Sequence, residues 1–138
     1  IELSYPIKGM YFSFSELTTE AERKIGEASD EVLANSFQEH AYSAVVEALE
    51  RAMAQENSDE ALLTGGVAMN SRLREMVREM CEQRGVEAYF PPNEYCMDNG
   101  AMIAHQGLIE LKNGRETDLE SSVVKPKWRP DEVKASWI

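Results

Sequence analysis

A pair of glycines stands between a short apolar run and a polar segment that can start a helix. The stretch Leu62-Leu63-Thr64-Gly65-Gly66-Val67-Ala68-Met69-Asn70-Ser71 predicts a strand, a tight turn and a helix start. Glycine lets a backbone approach a ligand closely, and the free N–H groups at a helix start attract anions such as phosphate. The spacing matches neither a Walker A loop nor G-x-G-x-x-G. Gly65 and Gly66 therefore form either a nucleotide-binding turn or a plain strand-to-helix connection.

A single carboxylate precedes the last predicted helix, in the segment Tyr95-Cys96-Met97-Asp98-Asn99-Gly100. At a helix start, Asp98 can cap the free N–H groups and is favoured by the helix dipole. The same carboxylate can instead bind a hard or borderline divalent ion, or contact a nucleotide. Because one carboxylate does not make a metal site, the other ligands would have to come from elsewhere.

The histidines and cysteines form no local site. His40 and His105 each lack a His or Cys partner at i+3 or i+4, so neither makes a local metal pair. Cys81 and Cys96 are far apart and form no C-x-x-C motif. Cys96 has no basic neighbour in sequence that would lower its pKa, so it is interpreted as a buried thiol.

The third predicted helix alternates basic and acidic residues, namely Arg72, Arg74, Arg78, Glu75, Glu79 and Glu82. The arginines could form a basic patch, but this interleaving favours ion pairs along the helix surface.

Hydrophobic periodicity predicts the elements that position these residues. Their order is β–α–α–β–α–β–α, which favours an α/β fold with a parallel or mixed sheet flanked by helices. The predicted strands lie within residues 1–14, including Met10, and over 60–64 and 86–90. The predicted helices cover about 19–28, 30–55, 71–83 and 99–111. The first has a capping box of Thr19 and Glu22, and the second is capped by Ser29 or Asp30. The third is capped by Asn70 or Ser71 and ended by Gly85, and the fourth is ended by Asn113-Gly114. Trp128 and Trp137 are expected to anchor the polar tail that starts near 116.

Composition excludes several classes of protein. The chain has 138 residues with 14 basic and 25 acidic side chains, a net charge of −11, so it has no overall electrostatic attraction for nucleic acid. Any RNA contact must use a local patch or another chain. With 43% hydrophobic residues the chain can bury a core. No apolar run approaches the eighteen or so residues of a membrane span, so no membrane contact is expected.

Two motifs resemble one family closely. Together, Gly65-Gly66-Val67-Ala68-Met69-Asn70-Ser71-Arg72-Leu73 and Tyr95-Cys96-Met97-Asp98-Asn99-Gly100-Ala101-Met102-Ile103-Ala104 resemble the universal tRNA threonylcarbamoyladenosine transferases. The segments Tyr5-Pro6-Ile7-Lys8-Gly9-Met10, Ser13-Phe14-Ser15 and Trp128-Arg129-Pro130-Asp131-Glu132-Val133 are also similar, the last to the archaeal and eukaryotic C-terminus. The resemblance implies the actin-like ATPase (ASKHA) fold, with RNase H-like lobes. It covers only the C-terminal part of the family, with residues 1–115 as a partial lobe and 116–138 as a tail.

The resemblance also implies a reaction and a site. The family transfers the threonylcarbamoyl group of threonylcarbamoyl-adenylate to N6 of the adenosine beside the anticodon of certain tRNAs. By position, Asp98 matches the carboxylate ligand of an iron or zinc ion, and Asn70 matches a contact to the adenylate or ATP. Gly65 and Gly66 match the loop that lies against the nucleotide. The implied partners are tRNA and the cytoplasmic KEOPS subunits, including a small protein kinase. No catalytic residue is assigned, and the fragment alone is expected to be inactive.

Two positions depart from the family pattern, since Tyr11 stands where Asp is usual and Glu16 where Gly is usual. Two other functions stay open. One is a nucleotide-binding or scaffolding half-domain without chemistry, and the other is a small-molecule kinase of the same superfold.

Overall fold

The structure is a computed structural model that describes residues 1–9, 11–133 and 135. The helices and strands, in chain order, are β1 Ile7–Lys8, β2 Tyr11–Phe12, α1 Phe14–Arg23, α2 Asp30–Glu56, β3 Glu60–Leu62, α3 Ser71–Arg84, β4 Glu87–Tyr89 and α4 Gly100–Lys112. Short 3-10 helices cover Gly66–Met69, Asn93–Tyr95, Leu119–Ser121 and Pro130–Glu132. The predicted α/β element order is confirmed, with shorter strands than the sequence indicates. The chain divides into two compact units, Ile1–Cys96 and Met97–Ile138, and the predicted domain boundary at 115 stays a prediction.

In the first unit, the other elements pack against the long helix α2. Ser29 caps this helix as predicted, with its Oγ accepting a hydrogen bond from the Val32 N–H at 3.4 Å. The helix ends at Asn57, whose left-handed φ of 52° turns the chain toward β3. One core cluster is made of Met53, Ala61, Leu73, Val77, Met80 and Cys81, and a second of Leu3, Leu17 and Ala41. Together they bury the apolar face that the periodicity of α2 predicts.

The sheets differ from the single mixed sheet that the sequence predicts. Among the described residues, β1 and β2 form an antiparallel pair, while β3 and β4 form a separate parallel pair. The hairpin is held by α2 instead of a neighbouring strand, because Arg51 Nη1 donates a hydrogen bond to the Gly9 carbonyl at 2.8 Å.

The β3 strand is buried on one face only, although the short apolar run that forms it is typical of a buried strand. Ala61 is 5% exposed and faces the core, but Leu62 is 65% exposed. Leu62 is the register partner of Tyr89, which is 48% exposed, so the outer face of this small sheet carries one exposed apolar pair beside the exposed pair of Glu60 and Glu87.

The capping box predicted at Thr19 and Glu22 is wrong. Helix α1 starts five residues earlier, and Thr19 lies inside it, with its hydroxyl donating to the Ser15 carbonyl at 3.0 Å. Leu17 is fully buried in the second core cluster, so tertiary packing sets the helix start and overrides the local capping signal. The helix also ends earlier than predicted, at Arg23 instead of about residue 28, and Gly26 at φ 91° follows it.

The two departures from the family pattern lie on the surface of this region. Tyr11 is 83% exposed in β2. Glu16 occupies the first turn of α1, where its carboxylate is favoured by the helix dipole and lies 3.6 Å from the Lys8 ammonium. The hairpin and helix therefore form with both residues present.

The second unit contains α4 and an irregular tail. Among its described residues, no side chain of α4 is buried. Trp128 is 53% exposed, so it is not the buried anchor that the sequence predicts. Met10 and Trp137, which the sequence assigns to the first strand segment and the tail, lie outside the described residues. Within the described ranges, no helix has both the length and the apolar character needed to cross a membrane.

Candidate functional site

The glycine pair lies where β3 leads into α3, as predicted. Gly65 has φ 100° and ψ 168°, a conformation that is essentially restricted to glycine. Gly66 has no positive φ and opens the 3-10 helix that leads to α3. A Cβ added at either position would meet nothing within 4 Å. Gly65 is therefore required by its backbone conformation, whereas neither conformation nor crowding within the chain requires Gly66.

This loop offers unpaired donors. Within the described residues, the first hydrogen bond after the turn joins the Ala68 N–H to the Gly65 carbonyl at 3.0 Å. The N–H groups of Gly66 and Val67 have no acceptor there, and Val67 is 65% exposed. An anionic or carbonyl group of a ligand can therefore reach two backbone donors at this loop.

Asn70 caps α3, as the sequence predicts. Its Oδ1 accepts hydrogen bonds from the N–H groups of Arg72 at 2.9 Å and Leu73 at 3.2 Å. Its Nδ2 donates to Gln38 Oε1 at 3.4 Å. The oxygen is thus committed to the helix, and the second Nδ2 hydrogen is the group that Asn70 can offer to a ligand.

Asp98 lies in the second unit, and the cap of α4 is its neighbour Asn99. Asn99 Oδ1 accepts from the Met102 N–H at 2.8 Å, and Asn99 Nδ2 donates to the Met97 carbonyl at 3.0 Å. Asp98 is exposed and has no hydrogen-bond or ion-pair partner among the described residues. Asn99 is therefore the helix cap, and the Asp98 carboxylate is free to accept an external ligand.

The described part of the chain holds no group of three His, Cys, Asp or Glu side chains that could bind a metal ion. His40 has a structural role, because Nδ1 lies 2.8 Å from the Ser36 carbonyl and Nε2 accepts from the Leu3 N–H at 3.4 Å. His105 lies exposed on α4. Asp98 can thus supply one ligand of a metal site whose other ligands lie outside this set.

Sequence reasoning assigned Arg74 to ion pairs along α3 and missed its contacts at the end of the glycine loop. Its guanidinium donates to the carbonyls of Ala68, at the end of the glycine loop, and Pro91, and its Nη2 lies 3.4 Å from Cys96 Sγ. The ring of Phe90 lies 5.7 Å from the Arg74 guanidinium carbon. Cys96 is buried as predicted, but it does have a basic neighbour, one contributed by another helix. Arg74 therefore ties the end of the glycine loop to Pro91 and Cys96 within the first unit.

The predicted ion pairs along α3 are found for Arg72 only. Its Nη1 lies 2.7 Å from Glu75, and its Nε and Nη2 bind both oxygens of Glu39 on α2 at 2.8 and 2.9 Å. These bonds hold the pKa of Glu39 below its usual value and raise the pKa of Arg72. Arg78 instead lies 5.1 Å from the Phe90 ring centre. The arginines serve structure here, and no free basic patch forms on α3.

Comparison with known proteins adds the remaining evidence. Residues 1–105 match the model of the TsaD family, described as tRNA N6-adenosine threonylcarbamoyltransferase. The protein of that name from Thermococcus kodakarensis is 50% identical over 139 aligned positions, which cover 99% of this chain and 43% of the relative. A probable bifunctional tRNA threonylcarbamoyladenosine biosynthesis protein from Methanosarcina mazei is 49% identical across 100% of this chain and 25% of its own length. The corresponding protein from Methanocaldococcus jannaschii is 46% identical, with 26% of its length covered. The chain thus spans less than half the length of these curated relatives.

Proposed function

The chain belongs to the tRNA N6-adenosine threonylcarbamoyltransferase family, and from this we propose that the protein containing it transfers a threonylcarbamoyl group to adenosine in tRNA. The observation that carries the proposal is the family match over residues 1–105, together with identities near 50% to relatives of that name. The proposed acceptor is N6 of the adenosine beside the anticodon.

The proposed reaction is an acyl-type transfer. The N6 amine attacks the carbamoyl carbon of threonylcarbamoyl-adenylate, a new C–N bond forms, and the bond from that carbon to the phosphate oxygen breaks. AMP leaves, and the attacking nitrogen loses a proton. Because no residue of this chain is assigned as acid or base, the described residues act by binding and positioning the donor.

The nucleotide contacts are proposed for Gly65, Gly66 and Asn70. The exposed loop after β3 supports this role, because the N–H groups of Gly66 and Val67 are unpaired and adding a Cβ there meets open space. Asn70 contributes through Nδ2, since its Oδ1 already caps α3. A nucleotide phosphate would fit the unpaired N–H groups, and the amide would orient the ligand.

Asp98 is proposed as one carboxylate ligand of a divalent iron or zinc ion. Its exposed and unpaired carboxylate fits that role, and the other ligands would come from outside this chain. When bound, such an ion supplies Lewis-acid polarisation of an oxygen of the donor.

The proposed partners are tRNA and the subunits of a cytoplasmic KEOPS assembly, including a small protein kinase. Support comes from relatives that are described as bifunctional, in which the region matching this chain forms about a quarter of the polypeptide. In such a relative, the second function is carried by the same polypeptide as the region that matches this chain. That arrangement is consistent with a separate partner protein that binds this region.

The experiment uses the full-length protein with its partners, unmodified tRNA, labelled threonine and the enzyme that forms the donor. Wild type is compared with Asp98→Ala and with Glu116→Ala, which removes another exposed carboxylate of the same unit. We expect wild type and Glu116→Ala to label tRNA and Asp98→Ala to lose at least 90% of the label while keeping its circular dichroism spectrum.

Each other outcome has a defined meaning. Normal labelling by Asp98→Ala refutes the metal role. If wild type binds ATP but labels nothing under conditions that support a known transferase, a half-domain without chemistry is indicated. Phosphoryl transfer to a small molecule would instead indicate a kinase of the same superfold.

A further inference from the structure

One short stretch of this acidic chain is basic. Residues 121–130 contain Lys125, Lys127 and Arg129 with no acidic residue, and no other ten-residue stretch of the sequence reaches a net charge of +3. An acidic protein that contacts RNA must do so through such a local patch or through another chain. The tail segment is therefore the place in this chain to look for an RNA contact.

The segment folds into a turn that brings the side chains of Lys125 and Trp128 together. The Trp128 N–H donates to the Lys125 carbonyl at 3.0 Å, which closes the turn. The Lys125 ammonium lies 4.9 Å from the indole centre, and Trp128 remains 53% exposed. Lys125, Pro126, Lys127, Trp128 and Glu132 line an open groove of about 420 Å³. This volume lies within the range of small-ligand sites.

Some of the charged side chains at this groove already have a partner, and others do not. Arg129 is paired with Asp131 through two hydrogen bonds of 2.9 Å, and Glu132 accepts the Arg129 backbone N–H at 3.4 Å. Lys125 and Lys127 have no carboxylate partner within the described part of the chain. The groove therefore presents two ammonium groups, one of them beside the indole, an exposed indole, and the Glu132 carboxylate that accepts the Arg129 backbone N–H.

Ammonium groups beside an exposed aromatic ring suit single-stranded nucleic acid. Lysines neutralise the phosphates, and a base can stack on the aromatic ring whatever its sequence. An acidic peptide would satisfy the lysines but would leave the indole without a planar partner.

We propose that Lys125, Lys127 and Trp128 form a contact for a single-stranded segment of RNA, with the lysines on phosphates and the indole stacked on a base. The proposal rests on the proposed function for the identity of this RNA as the substrate tRNA.

The test measures binding of full-length protein to an unmodified tRNA transcript and to a single-stranded RNA oligonucleotide across a range of salt concentrations. The variants are Lys125→Ala with Lys127→Ala, Trp128→Ala and Trp128→Phe, and the charge control is Lys112→Ala on α4, also an exposed lysine. All of these side chains are exposed, so folding should be preserved, and circular dichroism checks it. Transfer of labelled threonylcarbamoyl to tRNA is measured in parallel.

The double lysine variant should reduce the slope of log affinity against log salt by about 1.4, from roughly 0.7 per single-strand phosphate contact. Trp128→Ala should weaken binding roughly tenfold, with Trp128→Phe recovering most of that loss because a stacking ring remains. Lys112→Ala should match wild type in both slope and affinity.

Wild-type slope and affinity in both the double lysine variant and Trp128→Ala would overturn the inference. If wild type modifies no tRNA yet shows the expected slope changes on the oligonucleotide, the proposed function fails and the RNA contact stands. If wild type modifies tRNA and the variants bind as wild type does, only the RNA contact fails. If wild type binds neither RNA, both proposals fail.

Discussion

The two neighbouring glycines of the loop after β3 should respond in opposite ways to the same added methyl group. Gly65 has φ 100° and ψ 168°, which L-residues rarely adopt, whereas Gly66 has no positive φ. Neither added Cβ would meet an atom within 4 Å, so crowding is not a factor at either site. The difference between Gly65→Ala and Gly66→Ala therefore isolates backbone conformation.

The expected magnitudes follow from this contrast. Holding an L-residue in the conformation of Gly65 costs about 1–3 kcal/mol of folding free energy. Alanine at Gly66 should be neutral, or stabilising by up to about 1 kcal/mol, because it restricts the unfolded chain without straining the fold. The two variants should therefore differ by about 1–4 kcal/mol in the free energy of unfolding, with Gly66→Ala the more stable.

The assay is urea denaturation of the full-length protein followed by circular dichroism, with ATP affinity measured on the same samples. Equal unfolding free energies for the two variants would refute the conformational argument for Gly65. Because Gly66→Ala preserves the fold, it also tests ligand approach. A loss of ATP affinity there supports the proposed nucleotide contact, and unchanged affinity removes Gly66 from the site.

Two further predictions concern α3 and its contacts. Asn70→Ala should destabilise the protein by about 1 kcal/mol through loss of the helix cap, whereas Asn70→Asp keeps the capping oxygen, so it should retain stability but lose nucleotide affinity with the Nδ2 donor. Unfolding and ATP-binding measurements on both variants separate these roles, and unchanged ATP affinity in Asn70→Asp would contradict the binding role. The Arg72 hydrogen bonds lower the pKa of Glu39, so the ion pair should stabilise the fold above the usual Glu pKa and lose this effect as pH falls through the lowered value. The free energy of unfolding should therefore fall less between pH 7 and pH 3 in Glu39→Gln than in wild type. Identical pH profiles for the two proteins would exclude a contribution of this ion pair to stability.

Local signals predicted the helix boundaries well where the residues that set them lie within one turn. Ser29 and Asn70 cap their helices through contacts only three residues away, which sequence spacing reveals. Thr19 offered a similar signal and failed, because burial of Leu17 extends α1 through it. For α4, one interpretation of Asp98 was that it caps the helix. The cap is instead the next residue, Asn99, whose Oδ1 accepts the hydrogen bond from the Met102 N–H.

Contacts between distant segments could not be predicted from spacing. Arg74 has glutamates nearby in sequence, which favoured ion pairs, yet it binds carbonyl groups 6 and 17 residues away. Cys96 obtained its basic neighbour in the same way. The separation of the two sheets could not be predicted from the sequence either. The hydrogen bond that fixes the β1–β2 hairpin joins Gly9 to Arg51, which lies 42 residues later. The candidate site residues came from motif resemblance, and their nucleotide and metal roles stay predictions.

The parallel pairing of β3 with β4 also bears on the order in which this region folds. Its register joins Ala61 to Ala88, and all of α3 lies between them. Parallel strands cannot meet through a tight turn, so closing this pair from an unstructured chain would cost the entropy of the whole intervening loop. A formed α3, bounded by Asn70 and Gly85, shortens that search by bringing the strand ends back together. We therefore expect substitutions at the helix caps to change mainly the folding rate, and substitutions in the strand contacts to change mainly the unfolding rate.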